Sequence, residues 1–189
     1  MSENITPDFL QDADALLSEN GFATSDVWYH GTASGLVDGI MQNGLKGGGD
    51  AETSARTQGT LATIGNRQFE SNDPVFLTQS KELAFFWAVR KAHTRNLYFQ
   101  TKEFPVVIRV TAPAKVSPDT GATALMLEPG NDYVDMIRKL YEEKGFSFPD
   151  DKTNPLTLPR EFYLNNLAMG YSADPIPADK LSVVVPAKD

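Results

Sequence analysis

The apolar and polar positions along the 189-residue chain predict a mixture of short strands and amphipathic helices. Runs rich in β-branched and aromatic residues predict strands, because such side chains suit a pleated, half-buried surface. Apolar residues at helical spacing, with capping residues before them or glycine after them, predict helices. The predicted strands are 27–30, 74–78, 104–110, 122–127, 160–164 and 181–185, and the predicted helices are 6–20, 34–43, 81–92 and 132–144.

The order of these elements predicts the class of fold. Strands outnumber helices toward the C-terminal end and do not alternate with them regularly, which predicts an α+β fold rather than a doubly wound sheet. The length fits one domain over residues 1–189, with residues 1–24 as an N-terminal helical extension. Residues 46–73 are largely polar and rich in glycine, and they predict a long loop that either covers a substrate or is a flexible linker.

Composition excludes several kinds of site. With 25 acidic and 17 basic residues the net charge is −8, which disfavours nucleic acid as a partner. The absence of cysteine excludes disulfides and thiolate chemistry, and two histidines are too few for a multi-histidine zinc site, so we expect no metal. The chain shows neither a targeting segment nor an apolar run of membrane-spanning length. We therefore expect a cytoplasmic protein with no membrane partner, and export by a dedicated system stays open.

Taken singly, the candidate site residues have ordinary structural explanations. His30 ends an apolar run, residues 27–30, just before a polar loop, where a histidine more often has a structural hydrogen-bonding role than a catalytic one. Phe76 and Trp87 fall on apolar faces and are typical of core residues. Glu161 follows a pattern typical of the solvated face of a strand. Only the joint order and spacing of these segments indicates a functional site.

Three segments together resemble a known family of enzymes. Tyr29-His30-Gly31-Thr32 is the first, Val75-Phe76-Leu77-Thr78 with Trp87 is the second, and residues 159–166, Pro-Arg-Glu-Phe-Tyr-Leu-Asn-Asn, are the third. They resemble the mono-ADP-ribosyltransferases of the diphtheria-toxin type, whose motifs are Tyr-His-Gly-Thr, then Tyr-Ser-Thr with a second tyrosine eleven residues on, then Glu-Tyr-Ile-Asn-Asn. The resemblance covers residues 27–186. It implies a split antiparallel β-sandwich with flanking helices around an NAD cleft.

The resemblance also implies a role for each residue. Glu161 would be catalytic, because a carboxylate near the ribose stabilises the positive charge that develops when the bond to nicotinamide breaks. It would also accept a hydrogen bond from the 2′-hydroxyl of that ribose. His30 would form a hydrogen bond with the adenosine ribose, and Gly31 would offer main-chain groups to the carboxamide of nicotinamide. Thr32 would assist in binding the nucleotide.

The aromatic clamp departs from the family pattern. Phe76 and Trp87 would stack on the flat, cationic nicotinamide, where the family has two tyrosines, so both hydroxyls are lost. If the register of the helix shifts by one residue, Phe86 would be the inward-facing aromatic residue instead of Trp87. Arginine-directed members carry Glu or Gln two residues before the catalytic glutamate, and this chain has Pro159 there. The acceptor is therefore expected to be a side chain other than arginine, chosen by the loop 146–158.

These expectations combine into one predicted function with open alternatives. The chain would be a toxin-like, NAD-dependent ADP-ribosyltransferase that uses NAD as co-substrate and transfers ADP-ribose to a macromolecular acceptor, in the first instance a protein. An NAD glycohydrolase on the same fold is the alternative enzyme. A catalytically inactive relative that serves as a binding module is the alternative outside enzymology. An RNA 2′-phosphotransferase is a further alternative on this fold, and the acidic charge of the chain disfavours it. The last alternative is an unrelated structural or phage-related domain, in which the match to the first motif would be a coincidence.

Overall fold

The structure, a computed structural model, describes residues 6–48, 74–113, 115–149 and 154–186. Most of the predicted loop 46–73 lies outside these residues. The described residues form two three-stranded antiparallel sheets, a two-stranded hairpin and several helices, which confirms the α+β class in its general form.

The strands and helices are numbered in chain order. The strands are β1 (Leu17–Ser18), β2 (Gly21–Phe22), β3 (Val27–Ala33), β4 (Val75–Leu77), β5 (Pro105–Thr111), β6 (Ser117–Pro118), β7 (Gly170–Ser172) and β8 (Leu181–Val183). The α-helices are α1 (Ala13–Leu16), α2 (Val37–Asn43), α3 (Lys81–Phe99), α4 (Thr123–Leu127), α5 (Asp132–Glu143) and α6 (Arg160–Leu167). Single 3-10 turns occupy Asp8–Leu10, Ser34–Leu36, Thr120–Ala122, Pro155–Thr157 and Ala178–Lys180.

The first sheet has the strand order β3-β5-β8 and lies between α3 and the second sheet. Side chains alternate across β3, as strand geometry requires. Tyr29 packs toward Ala84 and Phe85 of α3. Trp28 points the other way and packs with apolar residues of β4, β5 and β8. The strand that carries the first motif is therefore covered on both faces.

The second sheet has the order β4-β7-β6 and is joined to the first by a main-chain bridge. There the main chains of Tyr29 and Thr78 exchange two hydrogen bonds, with N···O distances of 2.8 and 3.0 Å. Tyr29 belongs to the first motif and Thr78 to the second. Segments that lie almost fifty residues apart in sequence are thus neighbours in space.

The long helix α3 begins with a double cap. The Ser80 hydroxyl accepts a hydrogen bond from the main-chain nitrogen of Leu83, which confirms the predicted capping residue. The carboxylate of Asp12 accepts from the Ser80 hydroxyl and from the main-chain nitrogens of Lys81 and Glu82. The N-terminal segment is therefore fixed to the first turn of α3.

Three predicted elements are wrong. Residues 160–164 begin helix α6 rather than a strand, and residues 122–127 form the end of a 3-10 turn and helix α4. Three consecutive apolar residues, Phe162 to Leu164, fit a buried strand or the inner side of a short helix equally well. Pro159 stands directly before Arg160, the first residue of α6, and a proline at this end favours a helix start. The predicted helix 6–20 is broken into a 3-10 turn, α1 and the β1–β2 hairpin. Asp12 caps α3 instead of continuing a local helix.

The remaining helices match the prediction more closely. Helix α5 buries Tyr133, Ile137 and Tyr141 against α6, at the helical spacing that the sequence indicated. Helix α2 ends at Gly44, whose φ of +79° is the left-handed conformation that glycine adopts at low cost. In the part of the chain that the structure describes, none of the helices combines the length and apolar character needed to cross a bilayer.

Candidate functional site

His30 lies in the middle of β3, and its ring is fixed by the neighbouring strand β4. Its Nδ1 atom is 2.9 Å from the main-chain oxygen of Phe76. A carbonyl oxygen can only accept, so Nδ1 carries the proton in this hydrogen bond. In the neutral ring the other nitrogen, Nε2, is then left as an acceptor. An acceptor at this position can receive a hydrogen bond from a sugar hydroxyl.

Burial controls the charge of His30. It lowers the pKa of the imidazole below its usual value of 6.5, the hydrogen bond to Phe76 opposes this, and the positive charge of Lys91 adds to the lowering. The neutral ring is therefore favoured at pH 7. Neutrality preserves the acceptor nitrogen that a ribose hydroxyl would need.

Gly31 is a point of close approach between β3 and α3. A Cβ atom built on Gly31 would lie 2.0 Å from the main-chain oxygen of Ala84 and 2.7 Å from the main-chain nitrogen of Ala88. No side chain fits there, so glycine has a packing reason for its place in the motif. Thr32 follows with its side chain buried. Packing accounts for the lack of a side chain at Gly31 and for the buried side chain of Thr32, so their main-chain groups are what they offer to a ligand.

The two aromatic residues of the expected clamp have different surroundings. Phe76 lies in β4, where it pairs with Tyr171 of β7, and its side chain is 47% exposed. Its main-chain oxygen contacts His30. Trp87 is half-buried, and its ring centroid lies 5.0 Å from that of Tyr133. The structure thus brings Phe76 to His30 and packs Trp87 against the cluster formed by α5 and α6.

Phe86, the alternative inward aromatic residue, is also engaged with its neighbours. Its ring meets that of Trp87 edge-on at a centroid distance of 5.2 Å. The guanidinium of Arg90 lies 4.7 Å from the Phe86 centroid and forms an ion pair with Asp132 at 2.5 Å. Phe86 therefore has an aromatic neighbour on one side and a cation over its ring. Tyr133 also packs against Phe86, at a centroid distance of 5.3 Å.

Glu161 is exposed in the first turn of α6. A carboxylate at this end of a helix is stabilised by the helix dipole. The helix itself packs on β2, where a Cβ atom on Gly21 would lie 2.3 Å from the main-chain oxygen of Asn165. Among the described residues, no hydrogen bond or ion pair joins Glu161 to His30 or Phe76. The structure thus pairs His30 with Phe76 and leaves Glu161 on a separate element.

The sequence reasoning missed a buried ion pair near the end of β3. The Nε atom of Arg95 lies 2.8 Å from the carboxylate of Glu103, and the two side chains are 6% and 9% exposed. The same carboxylate accepts a hydrogen bond from the main-chain nitrogen of Gly35, which follows the motif strand. No periodic pattern reveals this pair, because each residue alone is indistinguishable from a surface charge.

An open cleft of about 410 Å³ lies next to the motif strand. Trp28, Asp26 and Lys115 are among the residues that line it, and none of the six predicted site residues is. The full lining consists of Thr24, Ser25, Asp26, Trp28, Pro113, Lys115, Val116 and Leu164. The cleft is therefore separate from the predicted nucleotide contacts.

Comparison with protein-family models, with curated proteins and with solved structures yields no match for this chain.

Proposed function

We propose that this chain is an NAD-dependent ADP-ribosyltransferase, which breaks the bond between nicotinamide and ribose and transfers ADP-ribose to a protein side chain other than arginine. The observation that supports the proposal best is the pairing of the two motif strands, in which His30 bonds the main chain of Phe76. A neutral His30 with a free acceptor nitrogen suits a ribose hydroxyl. Phe76, whose main chain contacts His30, has an exposed ring, and such a ring suits a flat, cationic base.

Glu161 is the proposed catalytic carboxylate. As the sugar loses nicotinamide it gains positive charge, and an ionised carboxylate lowers the energy of that state by electrostatic attraction. Glu161 stands in the first turn of α6, an end of the helix where the dipole attracts negative charge. For this role the carboxylate has to reach the sugar when NAD is bound at β3 and β4.

The test measures nicotinamide release from NAD by the purified protein, alone and with a whole-cell extract. Release that needs extract and labels a protein supports the transferase. Fast release without extract would instead make the chain an NAD glycohydrolase. Glu161→Gln should abolish either activity, whereas Glu142→Gln, a matched change at an exposed helical glutamate, should leave it intact.

Three further results would overturn the proposal in different ways. Full activity in Glu161→Gln would assign the catalytic role to another residue. Absence of turnover under both conditions, with NAD failing to raise the melting temperature, would remove NAD as the substrate. Binding of NAD without turnover would leave a binding module, in line with the loss of both tyrosine hydroxyls at Phe76 and Trp87.

A further inference from the structure

Large apolar side chains are exposed around the C-terminal end of α3. Leu97 is 68% exposed, Tyr98 is 44% exposed, and Phe104, just beyond the helix, is 64% exposed. Single exposed apolar residues are normal on a protein surface, whereas several in one place mark an interaction site. We call these three residues the α3-end surface.

The α3-end surface is held in one conformation by hydrogen bonds beneath it. The side-chain amide of Asn96 donates to the main-chain oxygen of Glu103 at 2.8 Å, and its oxygen accepts from the main-chain nitrogen of Glu103 at 2.7 Å. The buried ion pair between Arg95 and Glu103 fixes the same turn to the helix. A surface that is already ordered loses little conformational entropy when a partner binds.

The same turn is tied to the end of the motif strand. The main-chain nitrogen of Ser34 donates to the main-chain oxygen of Phe104 at 2.9 Å. The main-chain nitrogen of Phe104 donates to the Ser34 hydroxyl at 3.1 Å. The α3-end surface therefore lies next to the loop that follows β3.

Charge around the α3-end surface differs from that of the whole chain. Residues 90–104 contain four Lys and Arg residues and one acid, whereas the chain as a whole has a net charge of −8. Arg95 is paired with the single acid, Glu103, and Arg90 is paired with Asp132. Lys102, exposed two residues before Phe104, therefore supplies the positive charge that this surface offers. A partner that complements this surface would present both apolar side chains and negative charge.

We propose that the α3-end surface docks an acidic segment of a partner protein that presents apolar side chains. The proposal rests on exposure, rigidity and charge, and it holds whether or not the chain cleaves NAD. Single-stranded nucleic acid is a poorer fit, because the acidic chain would repel a polyanion at long range.

The experiment uses synthetic peptides as probes. The first peptide is amphipathic, with leucine at helical spacing and glutamate on the other face. The second replaces each glutamate with lysine, and the third replaces each leucine with serine. We expect the first to bind at least tenfold more tightly than the others, and to shift the amide resonances of residues 97–104. Because hydrophobic contact and charge both contribute, rising salt should weaken binding without abolishing it.

Variants test whether the peptide uses this surface. Leu97→Ser combined with Phe104→Ser should weaken binding at least tenfold, and Lys102→Glu should weaken it several-fold. The control changes Leu127→Ser and Leu156→Ser, at exposed apolar residues elsewhere, should leave binding unchanged. All the changed side chains are exposed, so each variant is expected to fold.

Four results of the peptide and oligonucleotide experiments would overturn the proposal. They are failure of the acidic peptide to bind, equal binding of the lysine peptide, equal binding by the Leu97→Ser/Phe104→Ser variant, and tighter binding of a single-stranded oligonucleotide. Self-association of the chain that the same double variant abolishes would assign the surface to a second copy instead.

Discussion

The Nδ1 atom of His30 lies 2.9 Å from the main-chain oxygen of Phe76, across 46 residues of sequence. This hydrogen bond does two things. It sets the orientation and the tautomer of the ring, and it joins the two strands that carry the first two motifs.

The charge state of His30 should couple folding to pH. Its pKa in the folded chain lies below 6.5, so the unfolded chain binds a proton first as the pH falls. The contribution of His30 to stability should therefore be complete above pH 6.5 and decline as the pH drops toward the folded pKa. Urea unfolding of the wild type and of His30→Gln between pH 5 and 8 measures this. A wild type whose pH dependence in this range equals that of the variant would contradict it.

Substitution of Gly31 should destabilise the fold. In Gly31→Ala the new Cβ atom would meet the main chain of α3 at Ala84 and Ala88, so the helix has to move away from β3. Such overpacking costs about 1–3 kcal/mol in the free energy of unfolding. The control is Gly39→Ala in α2, where nothing lies within 4 Å, and a helical alanine should be neutral or stabilising by up to about 1 kcal/mol. Equal stabilities of the two variants would show that β3 and α3 are not in this contact.

The ion pair between Arg95 and Glu103 should show strong coupling. Removing one partner leaves the other charge buried, which costs about 3–5 kcal/mol. The double variant Arg95→Met/Glu103→Gln should therefore lose less stability than the two single variants combined. For comparison, Arg90→Met breaks an exposed pair with Asp132 and should cost less than about 1 kcal/mol. Strict additivity in the double-mutant cycle would rule out the pair as a stabilising contact.

Alkaline pH should destabilise the cluster around α5. Burial raises the pKa of Tyr141 to about 12, from an ordinary value of 10.0, and its hydroxyl donates to the side chain of Asn166 at 3.1 Å. The unfolded chain releases this proton first, so stability should fall as the pH rises from 10 toward 12. Tyr141→Phe should lower the free energy of unfolding by about 1 kcal/mol at pH 7, because the hydrogen bond is lost. As the pH rises further, this variant should lose less stability than the wild type. An equal loss of stability at alkaline pH in the wild type and in Tyr141→Phe, measured by urea unfolding, would refute this account.

The sequence predicted the elements whose pattern is set locally. The strand at His30 and the helix that begins at Lys81 were predicted from β-branched residues, a capping serine and helical spacing. Both are confirmed, although β3 extends to Ala33 and α3 to Phe99. The extended part of β3 includes Gly31, which admits the backbone of α3 at Ala84 and Ala88, and no local signal reports that contact.

The sequence failed where tertiary contacts decide the conformation. The predicted N-terminal helix is interrupted near Asp12, whose carboxylate caps α3. Tyr163 fixes α6 by donating a hydrogen bond to the main-chain oxygen of Pro155. Neither partner is identifiable from spacing. Of the candidate site, the pairing of the first two motifs is now visible in the structure. The strand expected at Glu161 is a helix, and the contribution of that residue to catalysis stays a prediction.

The most direct measurement observes the His30 ring while NAD binds. The chain has two histidines, so selective ¹⁵N labelling gives two rings, of which His93 serves as an internal reference. The Glu161→Gln variant would be used to prevent turnover. We expect a free ring protonated on Nδ1, and a shift of the Nε2 resonance when NAD is added, while His93 stays unchanged. A ring protonated on Nε2, or one that millimolar NAD leaves unchanged, would contradict the proposed site.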